Sequence, residues 1–301
     1  MPGRVTQNMM NAQMLRNLNY NLSQMDKLQN QMATGRRINK PSDDPVGISF
    51  SMRYRSELSA NDQYEKNVDN AISWLDFTDA MLDQATQIIQ RVRELAVNGA
   101  NSTNPPDAMN AIRSEIIQLR EQMVTVANSQ FNGKYIFNGE KTDVKPYVDD
   151  AANPAATAET DGGKIHFEIG VGVLLAVNVT GNEVFGNPGD ADNIFQVMDD
   201  LIAALGASDY QAVGATLDRI DSRMNSFLAI RSDIGAKTNR IELAQNRLSE
   251  ISINLQTLQS KTEDADLAEV ITNLKTYENI YQSSLSVGAR IIRPSLVDFL
   301  K

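Results

Sequence analysis

The chain has 301 residues, a formal net charge of −10 and a pI near 4.7, which argue against nucleic-acid binding, because phosphate recognition needs clustered lysine and arginine. It contains no cysteine, so disulfides, thiol nucleophiles and cysteine-ligated zinc are excluded. The first residues lack the apolar core of a secretory signal peptide, and no run approaches the roughly 18 apolar residues of a membrane span. Aromatic residues make up only 6% of the chain, a composition that favours long helices over a sandwich or barrel.

The first periodic element is an amphipathic helix near the N-terminus. When residues 15–32 are written as heptads, the a and d positions are apolar except for Gln29. These apolar positions are Leu15, Leu18, Leu22, Met25 and Met32. Apolar spacing that alternates between three and four residues makes a helix that packs on partner helices. The pattern predicts an N-terminal coiled-coil assembly segment over residues 1–45.

A polar motif, Ser42-Asp43-Asp44-Pro45, follows this helix. Its adjacent carboxylates raise the alternatives of a metal site and a general acid. A helix start is the stronger interpretation, because Asp44 is a natural N-cap and Pro45 suits the first helical position. Asp43 then lies near the positive end of the helix dipole.

A long helix is predicted after this motif, because apolar residues alternate by four and three from Tyr64 to Ala96. Asn98-Gly99 and a turn rich in Ser, Thr, Asn and Pro end it, and Asp107 can cap a further helix. Residues 46–137 are therefore predicted to be the N-terminal part of a helical rod domain.

The apolar period changes at Phe131. Asn132-Gly133 and Asn138-Gly139 flank four residues, 134–137, which predicts a hairpin. Further strands are predicted at 164–169 and 171–180, with a turn at 186–190. Residues 138–190 are thus predicted to form a small β-rich outer domain.

Helical periodicity returns after this insert, and residues 191–260 are predicted to be the C-terminal part of the rod. The last segment, 261–301, repeats the coiled-coil pattern of the N-terminus. Its seam consists of Leu267, Val270, Leu274, Tyr277, Tyr281 and Ile291, with Ser284 and Gly288 as weak members. Isolated helices of about 20 residues are marginal in water. Both ends are therefore expected to be loose in the monomer and to become ordered when many copies pack together.

The order of helices, β insert and helices predicts a mainly α protein with a β-rich insert. The simplest arrangement is an elongated antiparallel helical bundle or coiled-coil rod, formed by the N- and C-terminal halves, with a small β domain at the far end. No phosphate loop or nucleophile elbow is present. His166 is the only histidine and is expected on a strand surface, so we expect no catalytic site, metal or cofactor. An enzyme carried on a helical rod is the remotest alternative, and it would need a site within 138–190.

Several motifs resemble the bacterial flagellin superfamily. They are Arg4-Val5-Thr6, the run from Ala33 to Pro45, Tyr135-Ile136-Phe137-Asn138-Gly139 and the ending from Val287 to Leu300. The resemblance covers both terminal thirds of the chain. Pro41-Ser42-Asp43-Asp44-Pro45 is most similar to the hook-associated proteins of the hook–filament junction, since flagellin proper usually has a Lys-Asp-Asp-Ala-type sequence there.

The resemblance implies a structural protein of the flagellum. Such a protein is exported unfolded through the flagellar type III apparatus, is transiently cytoplasmic, and assembles outside the cell as a ring at the distal end of the hook. The implied partners are other copies of the chain, an adjacent hook-associated protein on the hook side, flagellin on the filament side, and a cytoplasmic export chaperone at residues 267–300. Neither nucleic acid nor a membrane is an expected partner. The alternative is a flagellin that builds the filament itself, which the length allows and the Pro-Ser-Asp-Asp-Pro run disfavours.

Overall fold

A computed structural model of the chain describes residues 7–150 and 154–291. The motif Arg4-Val5-Thr6 and the ending from residue 292 onward lie outside these ranges, as does the side chain of Ile291. The helices are α1 (Gln7–Thr34), α2 (Pro45–Gly99), α3 (Pro106–Ala127), α4 (Gly181–Phe185), α5 (Ile194–Gly206), α6 (Tyr210–Glu263) and α7 (Leu267–Ile291). The strands are β1 (Gln130–Phe131), β2 (Lys134–Tyr135), β3 (His166–Glu168) and β4 (Leu174–Ala176). The predicted fold class, mainly α with a small β region, is confirmed.

Two short antiparallel hairpins make up this β region. β1 pairs with β2 across Asn132-Gly133, whose positive φ angles of 51° and 78° are those a tight two-residue turn requires. β3 pairs with β4 so that Phe167 lies opposite Leu175. Both of these strands are shorter than predicted. A tight turn at 170–173, with Gly172 at a φ of 70°, ends the pairing on one side, and on the other side Asn178 bonds to the backbone of Gly163 and Ile165.

The chain divides into two compact units. Unit 1 takes in the chain up to Ala60 and from Ile251 onward, and unit 2 is Asn61–Glu250. The boundaries between the units fall inside α2 and α6, whereas the boundaries predicted at 45 and 260 lie near the start of α2 and the end of α6. The finer division into five segments stays a prediction.

Unit 2 is built around one continuous apolar core. α3 packs on α5, and an aromatic cluster closes the core with ring centroids 5.0–5.9 Å apart. The cluster consists of Phe137, Tyr147, Phe185, Phe195 and Phe227. Since Tyr147 and Phe185 belong to the 138–190 segment, this segment shares its core with the helices.

Candidate assembly surface of unit 1

Unit 1 buries very few apolar side chains. Among its described residues, the buried apolar side chains are Leu18, Ile38, Val270 and Leu274. Burial of such a side chain contributes roughly 1.5–3 kcal/mol, while ordering each backbone residue costs about 1–2 kcal/mol. The burial of four apolar side chains is too little to hold the terminal helices α1 and α7 firmly. The stability of unit 1 therefore depends on further interactions.

α1 and α7 pack against each other in antiparallel orientation. At one end the amide of Ala265 donates to the carbonyl of Gly35 at 3.0 Å. At the other end Met14 of α1 lies over Gly288 of α7, where an added Cβ would be 1.6 Å from the Met14 Cε. Gly288 has no side chain to bury, but its lack of a Cβ allows the close approach between the two helices.

On α7 the face turned to α1 coincides with much of the sequence-predicted seam. Val270 and Leu274 are each 6% exposed, and Tyr277 and Tyr281 are partly buried. Leu267, also placed on the seam, is exposed. The structure thus brings four of the predicted side chains of α7 toward one partner helix.

On α1 the predicted seam is divided between two faces. Leu18 is buried and Met25 partly buried, while Leu15, Leu22 and Met32 are exposed. The buried positions that complete the α7-facing side are polar, Asn21 and Gln31. Gln31 is held there by donating its side-chain amide to the carbonyl of Arg37 at 2.9 Å. Most apolar side chains of the predicted α1 seam are therefore open to a partner outside the monomer.

Exposed apolar side chains occur on every helix of unit 1. They are Met9, Met10, Leu15, Tyr20, Leu22, Met32, Val46, Phe50, Met52, Ile251, Ile253, Leu258, Leu267, Ile271, Ile280, Leu285 and Val287. We call this set the assembly surface. Four of these side chains, Met9, Met10, Ile280 and Val287, line an open groove of about 810 Å³ between α1 and α7, together with the partly buried Met14. Large exposed apolar patches mark interaction sites, because isolated soluble proteins rarely tolerate them.

The polar motif at 42–45 builds the turn that connects α1 to α2. The Asp44 Oδ1 accepts hydrogen bonds from the amides of Val46 and Gly47 at 3.2 and 2.9 Å, so Asp44 caps α2 at Pro45. Ser42 is exposed in the turn itself. Gly47 is required beside the cap, because a Cβ there would meet the Asp44 carboxylate and Ile38, each at 2.5 Å.

Asp43 has a structural role in the same turn. Its Oδ2 accepts hydrogen bonds from the amides of Asn39 and Lys40 at 3.1 and 2.9 Å, and Lys27 lies 3.4 Å from its Oδ1. Partial burial would raise the pKa of Asp43, but these amide bonds and Lys27 lower it below its ordinary value. In the part of the chain that the structure describes, no cluster of three His, Cys, Asp or Glu side chains could hold a metal ion.

A buried carboxylate, Glu263 at the end of α6, joins the segments of unit 1. Its side chain is 1% exposed and accepts a bidentate pair from Arg55 of α2 at 2.6 and 2.8 Å. Ser51 of α2 and Gln259 of α6 also donate to it, and Arg36 after α1 lies 3.5 Å away. Burial would raise the pKa of Glu263, but the hydrogen bonds from Arg55, Ser51 and Gln259 lower it to about 2. We call these five residues the Glu263 cluster.

The Glu263 cluster also fixes the start of α7. The backbone carbonyl of Glu263 accepts from the amide of Arg37 at 2.6 Å. Three residues beyond, Asp266 caps α7 by accepting hydrogen bonds from the amides of Ala268 and Glu269 at 2.9 and 3.2 Å. The local sequence does not indicate the buried role of Glu263, because its partner Arg55 is 208 residues away.

Comparison with known proteins shows what kind of chain carries this surface. Residues 5–142 match the bacterial flagellin N-terminal helical region, and residues 217–300 match the bacterial flagellin C-terminal helical region. Together the two regions cover more than half of the chain. The chain belongs to the bacterial flagellin superfamily. It is accordingly a structural component of the flagellum that assembles with other flagellar components.

Individual superfamily members align with nearly the whole chain. The flagellar filament 30.7 kDa core protein of Treponema maltophilum is 27% identical, with 95% of each chain covered. The flagellar hook-associated protein 3 of Escherichia coli is 26% identical, over 93% of this chain and 94% of the relative. A solved structure of a flagellar hook-associated protein from Vibrio parahaemolyticus has the same fold, with a TM-score of 0.68 and 24% identity over 74% of this chain and all of that one.

His166, the only histidine of the chain, lies exposed on β3 opposite Ala176, which is the strand surface predicted for it. None of the described helices is long and apolar enough to cross a membrane.

Proposed function

We propose that this chain is the subunit of the hook–filament junction, which assembles as a ring at the distal end of the hook and allows the filament to grow. The observation that carries the proposal is the assembly surface, which places apolar side chains on the outside of the unit that has almost no core of its own.

Assembly supplies the burial that unit 1 lacks. Each exposed leucine, isoleucine or methionine contributes roughly 1.5–3 kcal/mol when a neighbouring copy covers it. Subunits that pack side by side around a tube use two different surfaces in a head-to-tail manner, so α1 and α7 contact neighbouring copies through faces that are open in the monomer. The terminal segments 1–45 and 261–301 then form the wall of the inner tube.

The motif at the α1–α2 connection supports the junction over the filament. Pro41-Ser42-Asp43-Asp44-Pro45 is similar to the junction proteins, and it occupies the turn that orients α1 against α2. In this proposal a hook-associated protein lies on the hook side, flagellin lies on the filament side, and an export chaperone holds residues 267–300 in the cytoplasm before secretion.

A filament-building flagellin is the second candidate, because the relative from Treponema maltophilum is a filament core protein. Self-assembly separates the two. A filament subunit polymerises alone under precipitating salt, whereas a junction subunit stays largely monomeric.

The direct test is immunogold labelling of an epitope-tagged copy in isolated flagella. A single labelled band between hook and filament is the expected result. Label along the whole filament would support the flagellin alternative, and its absence from the flagellum would contradict both.

A further inference from the structure

In unit 2, α6 carries three exposed residues on one face that make no ion pair and do not belong to the apolar core within the described part of the chain. Leu243 is 71% exposed, and Arg240 and Arg247 are exposed on either side of it. Spacings of three and four residues put all three side chains on one face of the helix. Neither arginine has an ion-pair partner among the described residues. We call these three residues the basic stripe.

α2 of the same unit carries the complementary charge. Asp62, Asp69 and Asp76 are exposed and follow one another at intervals of seven residues, the interval that also separates Arg240 from Arg247. Seven residues of helix span roughly 10 Å, so the two sets of charges have the same axial spacing. Asp69 accepts one bond from Gln245 at 2.9 Å, and the other two aspartates have no ion-pair partner in the described ranges. We call the three aspartates the acidic ladder.

The basic stripe cannot pair with the acidic ladder of its own chain. Gln245 is the residue of α6 that reaches Asp69. Arg247 lies two residues further, which turns its side chain by about 200° around the helix, and Arg240 is turned by about 140°. The arginines thus face away from the side on which α6 contacts the ladder.

The heights of the two surfaces also correspond. Arg231 of α6 pairs with Asp79 at 2.9 Å, and Gln245 pairs with Asp69. Because α6 runs antiparallel to α2, Arg240 lies at the height of the stretch between Asp69 and Asp79, and Arg247 lies just beyond Asp69. A second copy placed beside the first at a similar height therefore presents its ladder to this stripe.

We propose that the basic stripe of one copy docks on the acidic ladder of the next copy, with Leu243 covered between the two ion pairs. The proposal rests on the ring assembly inferred above. Copies of a chain with a net charge of −10 repel one another, and a local pairing of opposite charges offsets that repulsion while fixing a head-to-tail order.

Cross-linking in isolated flagella tests this contact, because the chain has no cysteine of its own. Leu243→Cys and Ser73→Cys are introduced into one chain. Ser73 lies exposed on α2 between Asp69 and Asp76, so all the charges are retained. A short bismaleimide reagent should cross-link this variant into a series of dimers, trimers and higher oligomers. A chain with Leu243→Cys and Arg113→Cys, where Arg113 lies exposed on α3, is the matched control and should stay monomeric.

A chain found in the flagellum whose Leu243→Cys/Ser73→Cys variant gives only monomer would overturn the contact and leave the junction function intact. A chain absent from the flagellum would instead remove the junction function.

Charge reversal gives a second readout. Arg240→Glu with Arg247→Glu should reduce the number of filaments per cell at least several-fold, and adding Asp69→Arg with Asp76→Arg to the same chain should restore it. Arg113→Glu is the control of matched sign. Equal loss in the reversed and the doubly reversed chains would contradict the pairing.

Discussion

At the scale of single residues, the buried carboxylate of Glu263 connects α6 to α2 and to the turn after α1 within unit 1. Glu263→Gln removes the charge that Arg55 and Arg36 face, and we expect it to destabilise unit 1 by about 1–3 kcal/mol. The two units can be followed separately, because Trp74, the only tryptophan, lies in unit 2. Far-UV circular dichroism should show an early loss of helix in denaturant while Trp74 fluorescence keeps its transition. Glu57→Gln is the control, since Glu57 forms an exposed pair with Arg53 that is worth less than about 1 kcal/mol.

The same residue gives unit 1 a defined pH dependence. The pKa of Glu263 is about 2 in the folded chain against an ordinary value of 4.5. Its contribution is therefore fully present above about pH 4.5 and is lost as the pH falls from there toward 2. Helix loss in unit 1 over this window, absent in Glu263→Gln, is the expected result. An acid transition of the same size in both proteins would contradict it.

Gly288 allows a second residue-scale prediction. Gly288→Ala places a methyl group against Met14, and the resulting overpacking should weaken the α1–α7 contact by about 1–3 kcal/mol. Gly235→Ala is the matched control, because nothing lies within 4 Å of its added Cβ in α6. That change should stabilise unit 2 by roughly 0.5–1 kcal/mol. Equal effects in chemical denaturation would show that the contact with Met14 is not the cause.

At the scale of elements, the two faces of α7 have separate roles. Leu274→Asp puts a charge on the α1-facing side and should abolish assembly while leaving the α2 and α6 helices of unit 2 folded. Leu285→Asp puts the same charge on the exposed side, so the monomer should keep its α1–α7 contact and still fail to assemble. Motility and sedimentation of the secreted subunit measure both effects. Unchanged motility in either variant would contradict the role assigned to that face.

The elements also show how far the sequence predicts this structure. The Asn132-Gly133 turn and the mainly α class follow from local pattern. On α7 the apolar period matches the α1-facing side from Val270 to Tyr281. It does not predict that Leu267 on the same seam is exposed. On α1 three of the predicted seam residues, Leu15, Leu22 and Met32, are exposed. The pattern shows that a position is apolar, but it does not show whether the same chain or a neighbouring copy covers it. The buried role of Glu263 could not be identified, because Arg55 and Ser51, which donate to it, lie on α2, 208 and 212 residues away along the chain.

At the scale of the whole molecule, burial is distributed unequally between the two units. Unit 2 has a continuous core, while unit 1 buries few apolar side chains and exposes many. We therefore expect amides of α1 and α7 to exchange hydrogen much faster than those of α3 and α5 in the soluble monomer. Exchange measured by mass spectrometry checks this. Strong protection at both ends of the monomer would show that unit 1 is stable without assembly.

The most direct test of the junction function is the fate of flagellin in a strain that lacks this gene. Bare hooks with monomeric flagellin lost to the medium are the expected result, because the filament then has no ring on which to grow. Normal filaments on the deletion strain would contradict the junction function, and the complete absence of flagellin would identify this chain as the filament subunit.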